Sequence, residues 1–149
     1  MPKKLSKKPI VVAVSGGFDP LHIGHVRMFE KAKKLGEKLI VIINCDDWLV
    51  RKKGFAFMPE KERSEIIKAL GSVDAVYIHH SKDHHVCDAL KKIKPDIFAN
   101  GGDRKNINDI PEAEICKSLG IKMVFNIGHG GKVQSSSWLT AKVPKNKKS

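Results

Sequence analysis

Cysteine pairs, aromatic residues and long apolar runs are all scarce in this chain of 149 residues. Its three cysteines, at positions 45, 87 and 116, are widely spaced and include no CxxC pair, which excludes a disulfide framework and a zinc ribbon. No stretch approaches the roughly 18 apolar residues of a membrane span, and the apolar run at 10–14 is too short for a signal-peptide core. Without a candidate membrane span or signal peptide, we expect a cytoplasmic protein. With only 6% aromatics, we expect its core to be aliphatic.

Acidic residues are missing from both ends of the chain, although each end is rich in lysine. The first eight residues hold four lysines and the last eight hold four more, so the ends carry +8 of the net charge of +12. Stretches of this composition are typical of solvated, disordered tails, and nucleic acid is not the expected partner. We predict basic tails over 1–9 and 141–149 and a single domain over 10–140.

Short aliphatic runs alternate with segments of helical period along the whole domain. The pattern predicts strands over 10–14, 38–43, 75–78, 96–99 and 121–127, and helices over 23–35, 59–70, 84–93 and 110–119, with a short helix from about 135. Such alternation indicates an α/β fold in which helices cover both faces of a parallel sheet. Ligands bind these sheets beyond the carboxyl ends of the strands, and the chemically reactive residues of this chain do follow strand ends.

The segment 15–25, Ser-Gly-Gly-Phe-Asp-Pro-Leu-His-Ile-Gly-His, links the first strand to the first helix. His22 and His25 are three residues apart, so they share one helix face. Gly16 and Gly17 let backbone N–H groups approach a phosphate near the positive end of the helix, and Gly24 leaves room between the histidines. A lone histidine is more often a surface or core-edge residue, but the full string in this position predicts stabilisation of a breaking P–O bond.

The string resembles the HxGH signature of the cytidylyltransferase-like nucleotidyltransferases and, more distantly, that of class I aminoacyl-tRNA synthetases. The chain is too short for the other synthetase domains, and its sequence has no KMSKS-like segment. The similarity spans about 10–140 and implies a Rossmann-like, doubly wound, five-stranded parallel sheet with the strand order 3-2-1-4-5. It also implies in-line attack by an acceptor phosphate on the α-phosphorus of CTP or ATP, release of pyrophosphate, Mg²⁺ bound through the triphosphate, no covalent nucleophile, and a homodimer.

The same resemblance implies roles for individual residues. His22, His25 and Lys52 would be catalytic, with Lys52 and Lys53 holding the β- and γ-phosphates from a loop that follows Asp46-Asp47-Trp48. Arg63 would bind phosphate or acceptor, although a surface salt bridge near Glu60 or Glu62 is the simpler interpretation. The expected nucleotide-binding residues are Gly16, Gly17, Phe18, Asp19, Gly24, Lys53, Arg63, Gly101, Asp103, Lys132, Ser135 and Ser136.

Two departures from the glycerol-phosphate cytidylyltransferases leave the base and the acceptor open. Gly101-Gly102-Asp103 stands where those enzymes have Gly-Asp-Asp, and Gly130 stands where they have an arginine. Both segments are closer to the heptose-phosphate branch. Our first hypothesis is a cytidylyltransferase acting on a small phosphorylated alcohol or sugar, and the alternative is adenylyl transfer to a heptose phosphate, FMN or NMN. A nucleotide- or nucleic-acid-binding protein without catalysis is the non-enzymatic alternative.

A cluster of histidines, His79-His80 and His84-His85, precedes Cys87. His84 and Cys87 lie one helical turn apart, so a transition-metal site is conceivable there. The cluster itself offers no fourth ligand at a sensible spacing, and we expect surface histidines at a strand–helix junction, one of them a candidate for lining the acceptor pocket.

Overall fold

All five strands in the described residues of the computed structural model, 9–80, 86–100 and 111–125, belong to one parallel sheet. They are β1 (Val11–Gly16), β2 (Lys38–Asn44), β3 (Ala75–His79), β4 (Ile97–Ala99) and β5 (Lys122–Val124). The strand order is β3-β2-β1-β4-β5, which confirms the predicted fold class and order. Strands β2 and β3 therefore lie on one side of β1, and β4 and β5 lie on its other side. Ligands of open α/β sheets bind at this switch point, between β1 and β4.

Helices cover both faces of this sheet. They are α1 (Ile23–Lys33), α2 (Asp46–Lys53), α3 (Glu60–Lys68), α4 (Cys87–Ile93) and α5 (Pro111–Leu119). Alternate residues of β1 serve the two sides, because Val12 and Val14 pack with α1 and α3 whereas Ala13 packs with α4 and α5. Burial on both faces explains the continuous aliphatic strands.

The structure corrects one element of the prediction. Lys52 and Lys53, predicted to lie in a loop after Asp46-Asp47-Trp48, belong to helix α2. Asp46 and Asp47 lie in its first turn, where carboxylates favour the helix dipole. Gly54 ends the helix in the left-handed conformation (φ +89°), and its N–H donates to the carbonyl of Val50. The charged sequence of this short helix concealed its helical period.

No helix within the described ranges has both the length and the apolar character needed to cross a membrane. The proposed tails lie mostly outside those ranges, so the domain boundaries at 10 and 140 stay predictions.

Candidate active site

The imidazole rings of His22 and His25 stack at the start of α1, with centroids 3.8 Å apart and planes 25° apart. His22 caps the helix, because its Nδ1 accepts the backbone N–H of Gly24 at 3.1 Å. His25 reciprocates, because its Nδ1 accepts the backbone N–H of His22 at 3.2 Å. The structure thus brings the two rings together, as their spacing predicted, in a reciprocal capping box built from histidines.

This box fixes the tautomer of both rings. A nitrogen that accepts a hydrogen bond carries no proton, so the proton of each imidazole is on Nε2. A backbone N–H that donates to one ring nitrogen also polarises the opposite N–H and makes it a stronger donor. The remaining N–H of each stacked ring is therefore on Nε2, in the turn that follows β1.

The ring of His25 is held neutral by its surroundings. Burial lowers its pKa from 6.5 to about 3, and the nearby His22 acts in the same direction. The rings of Phe18 and His25 pack in a T-shaped arrangement, with centroids 4.8 Å apart and planes 87° apart. At neutral pH His25 can donate a hydrogen bond to a phosphate oxygen but does not bring a full positive charge.

Phe18, expected to be a nucleotide-binding residue, is buried and packs between Gly16, His25 and Phe29. Its backbone lies in the left-handed region (φ +52°), which bulky residues rarely adopt. A Cβ on Gly16 would lie 2.9 Å from Phe18 Cζ, and one on Gly17 would lie 2.9 Å from a methyl carbon of Leu49. These glycines thus have a packing role in addition to the predicted approach to phosphate.

Arg63, on α3, is fully buried. Its guanidinium donates to the carbonyl oxygens of Gly17 and Asn44, both at 2.7 Å, and its Nε donates to that of Met58 at 2.9 Å. Its Nη2 pairs with Asp46 Oδ1 at 2.7 Å. The burial excludes the surface salt bridge near Glu60 as the role of Arg63, while its contact with phosphate or acceptor stays a prediction. Arg63 instead ties the turn after β1 to the end of β2 and to α2.

Asp19 is likewise buried rather than presented to a ligand. Its carboxylate accepts the backbone N–H groups of Phe57 at 2.6 Å and Met58 at 2.5 Å. Because Met58 also binds Arg63, these contacts fix the segment before α3 against the turn after β1. The predicted contact of Asp19 with nucleotide stays a prediction, and the contacts described here give its carboxylate a positioning role.

Lys52 lies on the last turn of α2, where the structure places it on a helix and not in the predicted loop. Its Nζ lies 4.9 Å from the centroid of the Trp48 ring, one turn earlier, which is a cation–π contact. The side chain of Lys52 is exposed, so its ammonium can also meet a solvent-exposed anion. Lys53 is the final residue of the same helix.

Sequence reasoning assigned no role to Asn44 or Trp48. Among the buried polar side-chain atoms of the described residues, only Asn44 Oδ1 and Trp48 Nε1 have no hydrogen-bonding partner. Native proteins rarely leave such atoms unpaired, and those that do tend to be at functional sites. Both residues flank the end of β2 beside the first turn, and the rule that ligands bind beyond strand ends would have indicated them.

Several predicted residues lie outside the described ranges: Gly101, Asp103, Lys132, Ser135 and Ser136, together with His84 and His85. Their binding roles stay predictions. Gly24 is in the described site, where its N–H is used by His22.

The described site fits Mg²⁺ only as part of the nucleotide. Mg²⁺ prefers oxygen ligands and usually keeps its phosphates and waters. The two carboxylates nearest the turn are already engaged, Asp19 by backbone N–H groups and Asp46 by Arg63. The residues that converge here are donors, which suit a triphosphate that carries its own cation.

The chain is similar to several known proteins. A family model described as cytidylyltransferase-like matches residues 13–122. An FAD synthase from Pyrococcus abyssi (strain GE5 / Orsay) is 36% identical over 115 residues, which is 76% of this chain and 76% of that protein. The bifunctional protein HldE of Streptomyces coelicolor is 37% identical over 117 residues, which is 77% of this chain but only 25% of that protein.

Among solved structures, the lipopolysaccharide core biosynthesis protein from Thermoplasma volcanium GSS1 is similar to this chain. It matches with a TM-score of 0.67 and 29% sequence identity, over 79% of this chain and 96% of that chain.

Proposed function

This chain belongs to the cytidylyltransferase-like family of nucleotidyltransferases, and we propose that it transfers a nucleoside monophosphate from a Mg²⁺-bound nucleoside triphosphate to the phosphate of a small acceptor. The observation that carries the proposal is the histidine box, in which the stacked rings of His22 and His25 each accept a backbone N–H through Nδ1 at the start of α1. Two imidazole donors in one turn suit the oxygens of a triphosphate.

The reaction requires no covalent intermediate. An oxygen of the acceptor phosphate attacks the α-phosphorus, the bond between that phosphorus and the bridging oxygen breaks, and the electron pair leaves with pyrophosphate. Negative charge grows on the leaving group as the bond breaks. His22 and His25 donate hydrogen bonds to that charge, and Lys52 on α2 supplies a positive charge to the β- and γ-phosphates.

Arg63 and Asp19 act through other residues. Arg63 holds the carbonyl of Gly17, in the turn that leads to the histidines, while Asp19 holds the segment before α3. Preorganised donors are effective because they need not rearrange during the reaction. We assign both residues a positioning role.

Two pairs of substrates have support. CTP with a phosphorylated alcohol or sugar is the reaction first predicted from the sequence. ATP with FMN, which gives FAD and pyrophosphate, is favoured by the FAD synthase from Pyrococcus abyssi, to which most of this chain is similar. The similarity to a lipopolysaccharide core biosynthesis protein supports the sugar phosphate of the first pair. The homodimer and the cytoplasmic location stay predictions.

A matrix of substrates tests the proposal. The full chain is incubated with each of the four nucleoside triphosphates and Mg²⁺, against FMN, NMN, heptose phosphate and glycerol phosphate, and pyrophosphate release is measured with product masses. We expect one combination to give a nucleotide-linked product, and His22→Ala to lower kcat by about 100-fold or more. Arg27→Ala, on the exposed side of α1, is the matched control and should retain activity. If the chain binds a nucleotide but none of the combinations releases pyrophosphate, the enzymatic proposal is contradicted.

A further inference from the structure

Apart from the histidine box, a second group of reactive side chains converges at the carboxyl end of the sheet. The ligand atoms of Cys45, Glu60 and His80 all lie within 4.8 Å of one another, and His80 Nε2 is 3.8 Å from Glu60 Oε2. We propose that Cys45 Sγ, Glu60 Oε2 and His80 Nε2 bind a divalent cation of the zinc class.

The backbone fixes two of the three ligands next to each other. Cys45 directly follows β2 and His80 directly follows β3, and these strands are parallel neighbours in which Asn44 pairs with His79. The N–H of Cys45 also donates to the carbonyl of His79 at 3.3 Å. The adjacency of thiol and imidazole is therefore a consequence of sheet register and not of flexible side chains alone.

Glu60, the third ligand, is oriented by a separate hydrogen bond. As the first residue of α3, it accepts the backbone N–H of Asp46 through Oε1 at 2.8 Å, and its Oε2 is left facing His80. Hydrogen bonds of this kind orient carboxylates in metal sites. Binding a cation through Oε2 would leave the bond to Asp46 intact.

The donor set determines which cations fit. A thiolate and an imidazole favour Zn²⁺ or Co²⁺, whereas Mg²⁺ takes oxygen ligands. With metal–sulfur and metal–nitrogen bonds of about 2.3 and 2.0 Å, the ligands must approach each other slightly. The ring of His80 can do so because its side chain is 64% exposed. Three protein ligands leave a fourth position for water or another donor.

The proposed cation site lies next to the contacts that hold the turn before the histidines, and His22 and His25 are not among its ligands. Cys45 precedes Asp46, which pairs with Arg63, and Arg63 binds the carbonyl of Gly17. A cation on Cys45, Glu60 and His80 would link the start of α2, the start of α3 and the end of β3. The proposal rests on these contacts and does not depend on the reaction proposed above.

Cobalt spectroscopy tests the site directly. The reduced, chelator-treated full chain is titrated with Co²⁺, and we expect one equivalent to produce a thiolate-to-cobalt charge-transfer band and the strong visible bands of four-coordinate Co²⁺. Zn²⁺ should then displace Co²⁺ and abolish both. Cys45→Ser should abolish the charge-transfer band, and His80→Asn and Glu60→Gln should each weaken Co²⁺ binding by about 10-fold or more.

Cys87→Ser is the matched control, because Cys87 belongs to the alternative His84–Cys87 site. It should retain the band and the affinity. The proposal is overturned if the natural chain gives no thiolate band, or if the band survives Cys45→Ser and disappears in Cys87→Ser. Should Cys45→Ser fail to fold by circular dichroism, His80→Asn decides, since it changes an exposed side chain: unchanged Co²⁺ affinity in that variant overturns the proposal.

Discussion

The buried guanidinium of Arg63 pairs with the partly exposed carboxylate of Asp46 at 2.7 Å and joins α3 to the first turn of α2. Arginine at this position also binds three backbone carbonyls, those of Gly17, Asn44 and Met58. Its planar fork serves several acceptors at once, which a lysine ammonium cannot do from the same place. The turn that carries the histidines therefore depends on a residue that does not reach the surface.

Replacing Arg63 should destabilise the fold. Arg63→Met leaves Asp46 and three carbonyl oxygens without their donor, and we expect a loss of about 3–5 kcal/mol in the free energy of unfolding, measured with urea. Arg63→Lys should recover only part of it. Lys61→Ala, on the exposed face of the same helix, should change the free energy by less than about 0.5 kcal/mol. If the Arg63→Lys variant is as stable as the natural chain, the positioning role is refuted.

Stability should fall with acid because of His25. Its pKa is about 3 in the folded chain, against the ordinary value of 6.5 that it regains on unfolding, so between these values the unfolded chain binds the extra proton. The free energy of unfolding therefore decreases as the pH falls through this window. From pH 7 to pH 5 the natural chain should lose up to about 2 kcal/mol more than His25→Gln, which cannot titrate. Equal losses in the two proteins would show that His25 titrates normally when folded.

Gly16 should not tolerate a side chain. Gly16→Ala places a Cβ 2.9 Å from Phe18 Cζ, and displacement of that ring disturbs the packing on His25. We expect a loss of about 1–3 kcal/mol in stability and a decrease in kcat/KM. Gly71→Ala is the control, because a Cβ there meets nothing within 4 Å. If the two variants unfold at the same urea concentration, the packing explanation for Gly16 is wrong.

Both carboxylate oxygens of Asp19 should be needed for the stability of the fold. Asp19→Asn replaces one acceptor with an NH₂ group that faces a backbone N–H donor, either that of Phe57 or that of Met58. The lost charged hydrogen bond should cost about 1.5–3 kcal/mol, as measured by urea unfolding. Asp47→Asn, an exposed change in the first turn of α2, should cost under about 1 kcal/mol. Comparable effects of the two substitutions would argue against the buried role of Asp19.

Lys52 should affect the reaction more than the fold. Lys52→Met keeps an apolar stem over Trp48 but removes the charge, so the free energy of unfolding should change by at most about 1 kcal/mol. Loss of a charged contact with phosphate should lower kcat/KM by about 10- to 100-fold. Steady-state kinetics of the natural chain, Lys52→Met and Lys61→Ala provide the comparison. Unchanged kinetics in Lys52→Met would remove this lysine from the site.

The sequence predicted the sheet and the histidine pair for physical reasons that are local. Aliphatic runs specify buried strands, and a spacing of three residues places His22 and His25 on one helix face. Helix α2 was missed because Asp46-Asp47-Trp48 and the following charged residues give a weak helical period in only eight residues. Its boundaries depend on Gly54 at one end and on the carboxylates of Asp46 and Asp47 at the other.

The roles of Arg63 and Asp19 could not be predicted in the same way. Arginine is almost never fully buried unless paired, and the partners of Arg63 lie up to 46 residues away in the chain. The acceptors of the N–H groups of Phe57 and Met58 are equally distant, since Asp19 is 38 and 39 residues before them. Such contacts depend on how β1, β2 and α3 are assembled, which no local pattern records.

The most direct test of the central claim is long-range ¹H–¹⁵N correlation NMR of the histidine side chains, at pH 7, with and without a nonhydrolysable Mg²⁺-nucleotide. We predict that His22 and His25 each show a proton on Nε2 and a bare Nδ1, and that the nucleotide shifts both Nε2 resonances. Assignments come from His22→Gln and His25→Gln. A proton on Nδ1 of either ring, or Nε2 resonances that ignore a bound nucleotide, would contradict the account.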